Sequence, residues 1–378
     1  MLQILRALAR PSLNWLLVFV PLSIVFEIAH KAAHAEWASP TLIFVFSAIG
    51  IIPLAGRMGR ATEHLASRVG DAVGGLLNAT LGNAAELIIA VTALIEASRN
   101  PEAAEFMHAV VKASLTGSII GNILLVLGLA VLVGGIRHRV QNFNAVAARA
   151  GATLLTLAVV ALVIPAVFSH LVPEKTDTIR ELSVELSVLL LIVYGLSLLF
   201  TLHTHKHLYG TPPDANAPSD AQAEHWPVRR SVIVLVVVTV FIALLAEFMV
   251  GSIEAASHAF GLSDLFIGVV IVAIVGNAAE HSTAVLVAWR NRMDLALTIA
   301  VGSSTQIALF VAPFLVLFSL ALGSPIDLVF SIPEVVAIAL AVLILEQISS
   351  DGESHWLEGV LLLTVYAMLG VLFFHLPG

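Results

Sequence analysis

Apolar residues fall into eleven runs along this chain, near 12–30, 38–56, 72–98, 110–134, 145–168, 183–203, 230–250, 264–288, 294–320, 327–346 and 355–376. A helix that crosses a hydrocarbon core of about 30 Å needs roughly 20 such residues, so each run predicts one transmembrane helix. One polar stretch is long enough to read as a linker: His203 to Arg230, with Pro212, Pro213, Pro218, Asp214 and Asp220. It separates five runs before it, from the second to the sixth, from five after it. The predicted organisation is an extra N-terminal helix over 1–37, a first five-helix unit over 38–203, a cytoplasmic linker over 204–229 and a second five-helix unit over 230–378.

The two units share a pattern. Gly-Asn-Ala-Ala-Glu stands at Gly82 to Glu86 and again at Gly276 to Glu280, each time inside an apolar run. A Gly-Ser element follows at a similar distance in both: Gly117-Ser118-Ile119-Ile120-Gly121-Asn122 and Gly302-Ser303-Ser304-Thr305-Gln306. Because five is odd, the second unit should be inverted in the membrane relative to the first. Inverted repeats with interrupted helices at their interface characterise many secondary transporters, whose site lies near the midplane. The fold class is therefore all-α and polytopic, with eleven transmembrane helices.

Composition agrees: 59% of residues are hydrophobic and 12% charged, against about 25% charged in soluble domains. There is no Cys, which removes disulfides and thiolate metal sites. The net charge of −8 is spread over the loops and offers no patch for nucleic acid. Assigned to alternate sides of the eleven runs, thirteen of the 18 Lys and Arg residues, Arg137, Arg139, Arg290 and Arg292 among them, share the side of the N-terminus. Lys31, Arg99, Lys112, Lys175 and Arg180 take the other. This bias predicts a cytoplasmic N-terminus and linker with an outside C-terminus. Arg6, Arg10 and Ala33-His34-Ala35 make the first run resemble a signal peptide, but it is long for such a core and reads as an additional span.

An acidic residue at bilayer depth costs roughly 2.5 to 3.5 kcal/mol, so it persists where it faces a partner, an ion or water. Two copies point to a symmetric ion site built around Glu86 and Glu280. Gly82 and Asn83, like Gly276 and Asn277, are poor helix formers and should loosen their helices. Asn83, Asn277, Ser118, Ser303 and Gln306 add neutral oxygens. Carboxylates among six to eight oxygen ligands suit calcium better than zinc or copper. Facing carboxylates in low dielectric also repel, so without a cation they share protons and titrate as a pair. A site held alternately by a divalent cation or by protons is the minimum an antiporter needs.

The segments GNAAELIIAVTAL (82–94) and GNAAEHSTAVLVA (276–288), with GSIIGNILLVLG (117–128) and GSSTQIALFVAP (302–313), closely resemble the paired motifs of the calcium/proton exchanger family, within the calcium/cation antiporter superfamily. The resemblance spans about residues 38 to 376. It implies eleven helices in two inverted five-helix repeats, with calcium leaving the cytosol as protons enter. It also implies that Glu86 and Glu280 carry both ions and that Asn83, Asn277, Ser118, Ser303 and Gln306 line the site. His281 fits the second motif of that family. Calcium is then a transported substrate, no cofactor is implied, and the partners are calcium, protons and the lipid bilayer; the short loops suggest a bacterial inner membrane. Two departures stand out. The linker offers only Asp214, Asp220 and Glu224 where relatives often carry a strongly acidic segment, and Gly121 precedes Asn122 where a serine is common.

Other residues have more than one reading. Glu247 on the seventh run is either an accessory proton site or packed against polar neighbours. His281 is either a proton shuttle or a partner of Glu280. Glu27, Glu334 and Glu346 lie near run ends and read as interfacial. His203, His205 and His207 read as a solvated linker edge, and Gly74, Gly75, Gly128 and Gly195 as helix-packing positions. A sodium- or potassium-coupled exchanger of the same fold and a cation channel are the alternatives. A hydrolase would need a nucleophile with its base or a metal motif such as His-Glu-x-x-His, and neither occurs.

Overall fold

A computed structural model of the chain describes residues 13–35, 37–69, 74, 77, 80–208 and 226–376. After a 3-10 turn at Leu13–Val18 come helices α1 (Phe19–Ala33), α2 (Pro40–Ala66), α3 (Ala84–Arg99), α4 (Ala104–Arg137), α5 (Ala145–Leu171) and α6 (Thr176–Thr204). Beyond the linker lie α7 (Val228–Phe260), α8 (Asp264–Gly276), α9 (Ala278–Trp289), α10 (Met293–Leu322), α11 (Ile332–Ile348) and α12 (Trp356–His375). The short strands β1 (Gln141–Asn142) and β2 (Glu353–Ser354) pair antiparallel.

Among the described residues, eight helices are long and apolar enough to cross a membrane, or nine if α8 and α9, which meet at a bend of 60°, count as one span. α3 and α11 are shorter, at 16 and 17 residues. Part of the predicted run 72–98 lies outside the described residues. The run predicted at 327–346 starts late for a physical reason. Its helix begins at Ile332 because Ser331 caps it, with Pro333 in the first turn and Glu334 reaching back to the Ser331 backbone. The same chemistry starts α2 at Ser39-Pro40 and α5 at Asn144, whose Oδ1 accepts from the Val146 and Ala147 amides. Gly261 and Gly323 take positive φ where α7 and α10 end.

The outer surface is apolar. Leu189, Ile192 and Leu196 on α6, Val236 and Val240 on α7, and Met368 and Val371 on α12 are all more than half exposed. A surface of that kind suits hydrocarbon rather than water. α2 and α7 form the most extensive helix pair. At one end of the bundle three connections are tied together: Arg137 lies 4.6 Å over the Trp289 ring, Gln141 Nε2 donates to Ala288 O at 2.8 Å, and Arg149 donates to Ser350 O at 2.6 Å. The opposite end is tied by Lys112 to Asp327 at 2.5 Å and by His108 to Ser324 at 3.1 Å.

Three expectations need correction. Glu334 and Glu27 are buried rather than interfacial; Glu27 pairs with Lys31 at 2.7 Å, one helical turn away. Glu346 is exposed. Gly195 faces open space, whereas Gly128 packs as expected, against Leu362 of α12.

Candidate ion site between the two halves of the chain

Both acidic motifs sit at breaks in helices. Gly82 and Asn83 form a turn before α3, and Asn277 interrupts the chain between α8 and α9. α3 runs from its break toward the end where α4 starts, and α9 toward the end where α4 finishes, so the two half-helices diverge from a common centre. Glu86 and Glu280 each occupy the first turn of their half-helix. The exposed amides of a first turn carry partial positive charge and favour a carboxylate there.

Asn83 and Asn277 occupy the cap positions of α3 and α9, yet neither side chain caps its own helix. Both reach into the other half of the chain. Asn83 Nδ2 donates to Gln306 Oε1 at 2.7 Å, and Asn83 Oδ1 accepts from Ser303 Oγ at 2.7 Å. Asn277 Nδ2 donates to Ser118 Oγ at 2.7 Å. Asn122 Nδ2 closes the chain, donating to Asn277 Oδ1 and to Ser303 Oγ, both at 2.9 Å. Five of these six residues are buried, and Gln306 is partly so. Each Gly-Ser helix continues as a π-helical turn, Gly121–Val126 in α4 and Ile307–Val311 in α10. Such turns widen the helix and recur at functional sites.

In and beside this network four buried oxygens have no hydrogen bond among the described residues: Glu86 Oε1 and Oε2, Glu280 Oε2 and Asn122 Oδ1. A buried polar atom without a partner costs about 1 to 3 kcal/mol, so a cluster of them marks a place meant for something else to bind. Gly276, four residues before Glu280, packs directly on Glu86, so the two acidic motifs meet. Gly276 gives Glu86 its room, since a Cβ there would stand 2.8 Å from Glu86 Cγ. A cavity of about 10 Å³ adjoins Glu86, with Ser114 and Ser118 among apolar Ile89, Val272 and Ile307. A second of similar size shares Ile89, Ser114 and Val272 and continues toward Met107 and Ile253.

The sequence-derived residues thus converge, with two exceptions. Glu247 occupies an exposed position on α7 and makes no hydrogen bond to the network. The His281 ring is partly buried and makes none to Glu280 among the described residues. Gly82 lies in the turn before α3 and Gly276 is the last residue of α8, so both stand at the helix breaks. Of the histidine cluster, His205 stacks on Phe200 at 4.0 Å while His203 and His207 are exposed. Among the described residues no three His, Cys, Asp or Glu side chains gather as a metal site. Any cation here would combine two carboxylates with amide, hydroxyl and backbone oxygens. From the chain alone Glu334 reads as interfacial and Gln141 carries no assignment. The Ser331-x-x-Glu334 spacing was the available signal for the first.

Comparison with known proteins fits this arrangement. The profile of the sodium/calcium exchanger protein family matches residues 39–203 and 230–375. A Ca(2+)/H(+) antiporter of Synechocystis sp. is 45% identical over 375 residues, covering 96% of each chain. The Ca(2+)/H(+) antiporter ChaA of Bacillus subtilis is 44% identical over 356 residues, covering 94% of this chain and 96% of its own. The solved structure of native YfkE superposes with a TM-score of 0.81 at 40% identity, covering 97% of this chain and all of that one. A crystal structure of the H+/Ca2+ exchanger CAX shares the fold at a TM-score of 0.67 and 12% identity, covering 96% and 91%. The chain belongs to the sodium/calcium exchanger protein family, among relatives that are calcium/proton antiporters.

Proposed function

We propose that this protein exchanges calcium for protons across a membrane by alternating access, and that Glu86 and Glu280 form the site both ions use. The observation that carries the reading is the set of sealed, unpartnered oxygens on Glu86, Glu280 and Asn122 at the meeting point of the two motifs. Calcium takes six to eight oxygens. Both Glu86 oxygens, Glu280 Oε2 and Asn122 Oδ1 supply the first four. The Asn83 and Asn277 carbonyls have a second lone pair beside the bond they already accept. With protons in place of calcium, the same carboxylates become neutral and the cost of burying them falls. One site with two exclusive occupants couples the two fluxes without a second pathway.

The two five-helix units, 38–203 and 230–378, act in this reading as inverted repeats whose half-helices α3 and α9 open toward opposite faces. The Lys and Arg bias supports a cytoplasmic N-terminus and linker with the C-terminus outside. The bacterial relatives support a cell membrane as its location. The names of those relatives favour protons over sodium or potassium as the exchanged ion.

The test is uptake of calcium-45 into proteoliposomes under an imposed pH gradient, an imposed sodium gradient or neither. Uptake driven by the pH gradient and lost in Glu86→Gln is expected. Uptake that follows the sodium gradient would reassign the driving ion, and uptake with no gradient dependence would make the protein a channel.

A further inference from the structure

We propose that Glu334 and Thr116 are a positioning pair that sets the register of α4, and through it the placement of Ser118 and Asn122 in the ion site. The proposal rests on the calcium/proton reading of that site. Glu334 is a further carboxylate inside the bundle, 4% exposed, to which the exchange chemistry assigns no task. Its Oε2 accepts from the backbone N–H of Ser331 at 2.9 Å and from Ser331 Oγ at 2.7 Å. Those two bonds begin α11. Its Oε1 leaves that helix and accepts from Thr116 Oγ1 on α4 at 3.0 Å.

Thr116 is unusual in that bond. Thr62, Thr92, Thr156 and Thr305 each donate to the carbonyl four residues back in their own helix, the ordinary outlet for a helical threonine. Thr116 is fully buried and instead donates across to α11. One turn away, Lys112 Nζ reaches Asp327 Oδ1 at 2.5 Å and Val329 O at 3.0 Å, in the connection that leads into α11. Two successive turns of α4 are therefore fastened to one corner.

What lies beyond Thr116 gives the fastening its effect. At Gly117 the backbone of α8 comes so close that a Cβ would lie 2.6 Å from the Val269 Cα. Ser118 then meets Asn277 at 2.7 Å, and Asn122 meets Asn277 and Ser303 at 2.9 Å. α4 is thus confined between α8 and the Glu334 corner, and a small rotation at Thr116 moves both site residues. The other Gly-Ser helix is held in a related way: the backbone N–H of Asn144, which caps α5, donates to Asp294 of α10, the helix that carries Ser303 and Gln306. At each corner a carboxylate fastens a Gly-Ser helix to another helix: Glu334 of α11 accepts from Thr116 of α4, and Asp294 of α10 accepts from the cap residue of α5.

The experiment measures pH-gradient-driven calcium-45 uptake in proteoliposomes against calcium concentration for wild type, Thr116→Val, Thr116→Ser, Glu334→Gln and the double variant. Valine removes the hydroxyl at nearly constant shape, and serine keeps it. Thr116→Val should raise the half-saturating calcium about fivefold, the effect of one lost hydrogen bond, with the maximal rate within about twofold of wild type. Thr116→Ser should stay near wild type, and the double variant should be no worse than the poorer single one, because both changes act on the same contact. An unchanged half-saturation in Thr116→Val, or equal losses in the Val and Ser variants, overturns the proposal. The Thr116 comparison decides the matter alone if Glu334→Gln does not fold. If the wild type takes up no calcium under a pH gradient, the functional reading fails and this proposal with it.

Discussion

Glu86 depends on a residue that has no side chain. Because a Cβ on Gly276 would stand 2.8 Å from Glu86 Cγ, Gly276→Ala should push the carboxylate aside while leaving the chemistry of every ligand intact. Overpacking of this kind costs about 1 to 3 kcal/mol, so calcium affinity should fall roughly fivefold to a hundredfold, as read from the half-saturating calcium. Glu86→Gln and Glu280→Gln keep the shape without the charge. Each should abolish exchange while the protein remains monodisperse in detergent, and transport near the normal rate in either would remove that carboxylate from the mechanism. Replacing His281 should move the pH dependence of transport, and an unmoved profile would leave the ring a packing role. The candidate residues were legible from the chain because Gly-Asn-Ala-Ala-Glu is written twice, each copy followed by a Gly-Ser element. Glu334 was not, since its run end alone suggested an interface. Its burial follows from where Ser331 starts the helix and from Thr116, which is 218 residues away.

At the scale of elements, the breaks at Gly82-Asn83 and Asn277 were readable as poor helix formers in an apolar run, and the structure breaks both helices there. The π-helical turns after the Gly-Ser elements were not readable, because a π turn is one residue wedged into an otherwise ordinary apolar pattern. Nor was the close crossing of α4 and α8, which depends on Gly117 facing the Val269 backbone and Gly268 facing Ala113. That crossing makes a separate prediction. Gly268→Ala would place its Cβ 3.0 Å from Val110 O and closer still to the Ala113 Cβ, forcing the helices apart. The expected result is a loss of about 1 to 3 kcal/mol, seen as a lower melting temperature in detergent, with a smaller change at Gly121, where a Cβ meets nothing within 4 Å.

For the whole molecule, the alternation of runs placed the α4–α5, α9–α10 and α11–α12 connections on one side, and the structure joins those three at one end. Which end faces the cytoplasm can be tested cleanly because the chain has no Cys. Arg139→Cys and Lys175→Cys lie at exposed positions in connections at opposite ends of α5. An impermeant thiol reagent should reach the first only from the cytoplasmic side and the second only from outside, and the reverse pattern would invert the topology. Competition fixes the sign of the pH effect: carboxylate ligands must shed their protons before calcium binds. The half-saturating calcium should therefore fall as the calcium side is raised from about pH 6.5 to about pH 7.5, and a rise would exclude a shared site. The bonds between the two halves of the chain also set a timetable for biosynthesis. Asn83 finds its partners at Ser303 and Gln306, 220 and 223 residues later in the chain. At about 5 to 20 residues per second, a nascent first half waits roughly 10 to 45 seconds in the membrane with that amide unmatched. A ribosome stalled within the second half would leave a membrane-inserted protein whose first acidic motif has no counterpart, a natural substrate for quality control.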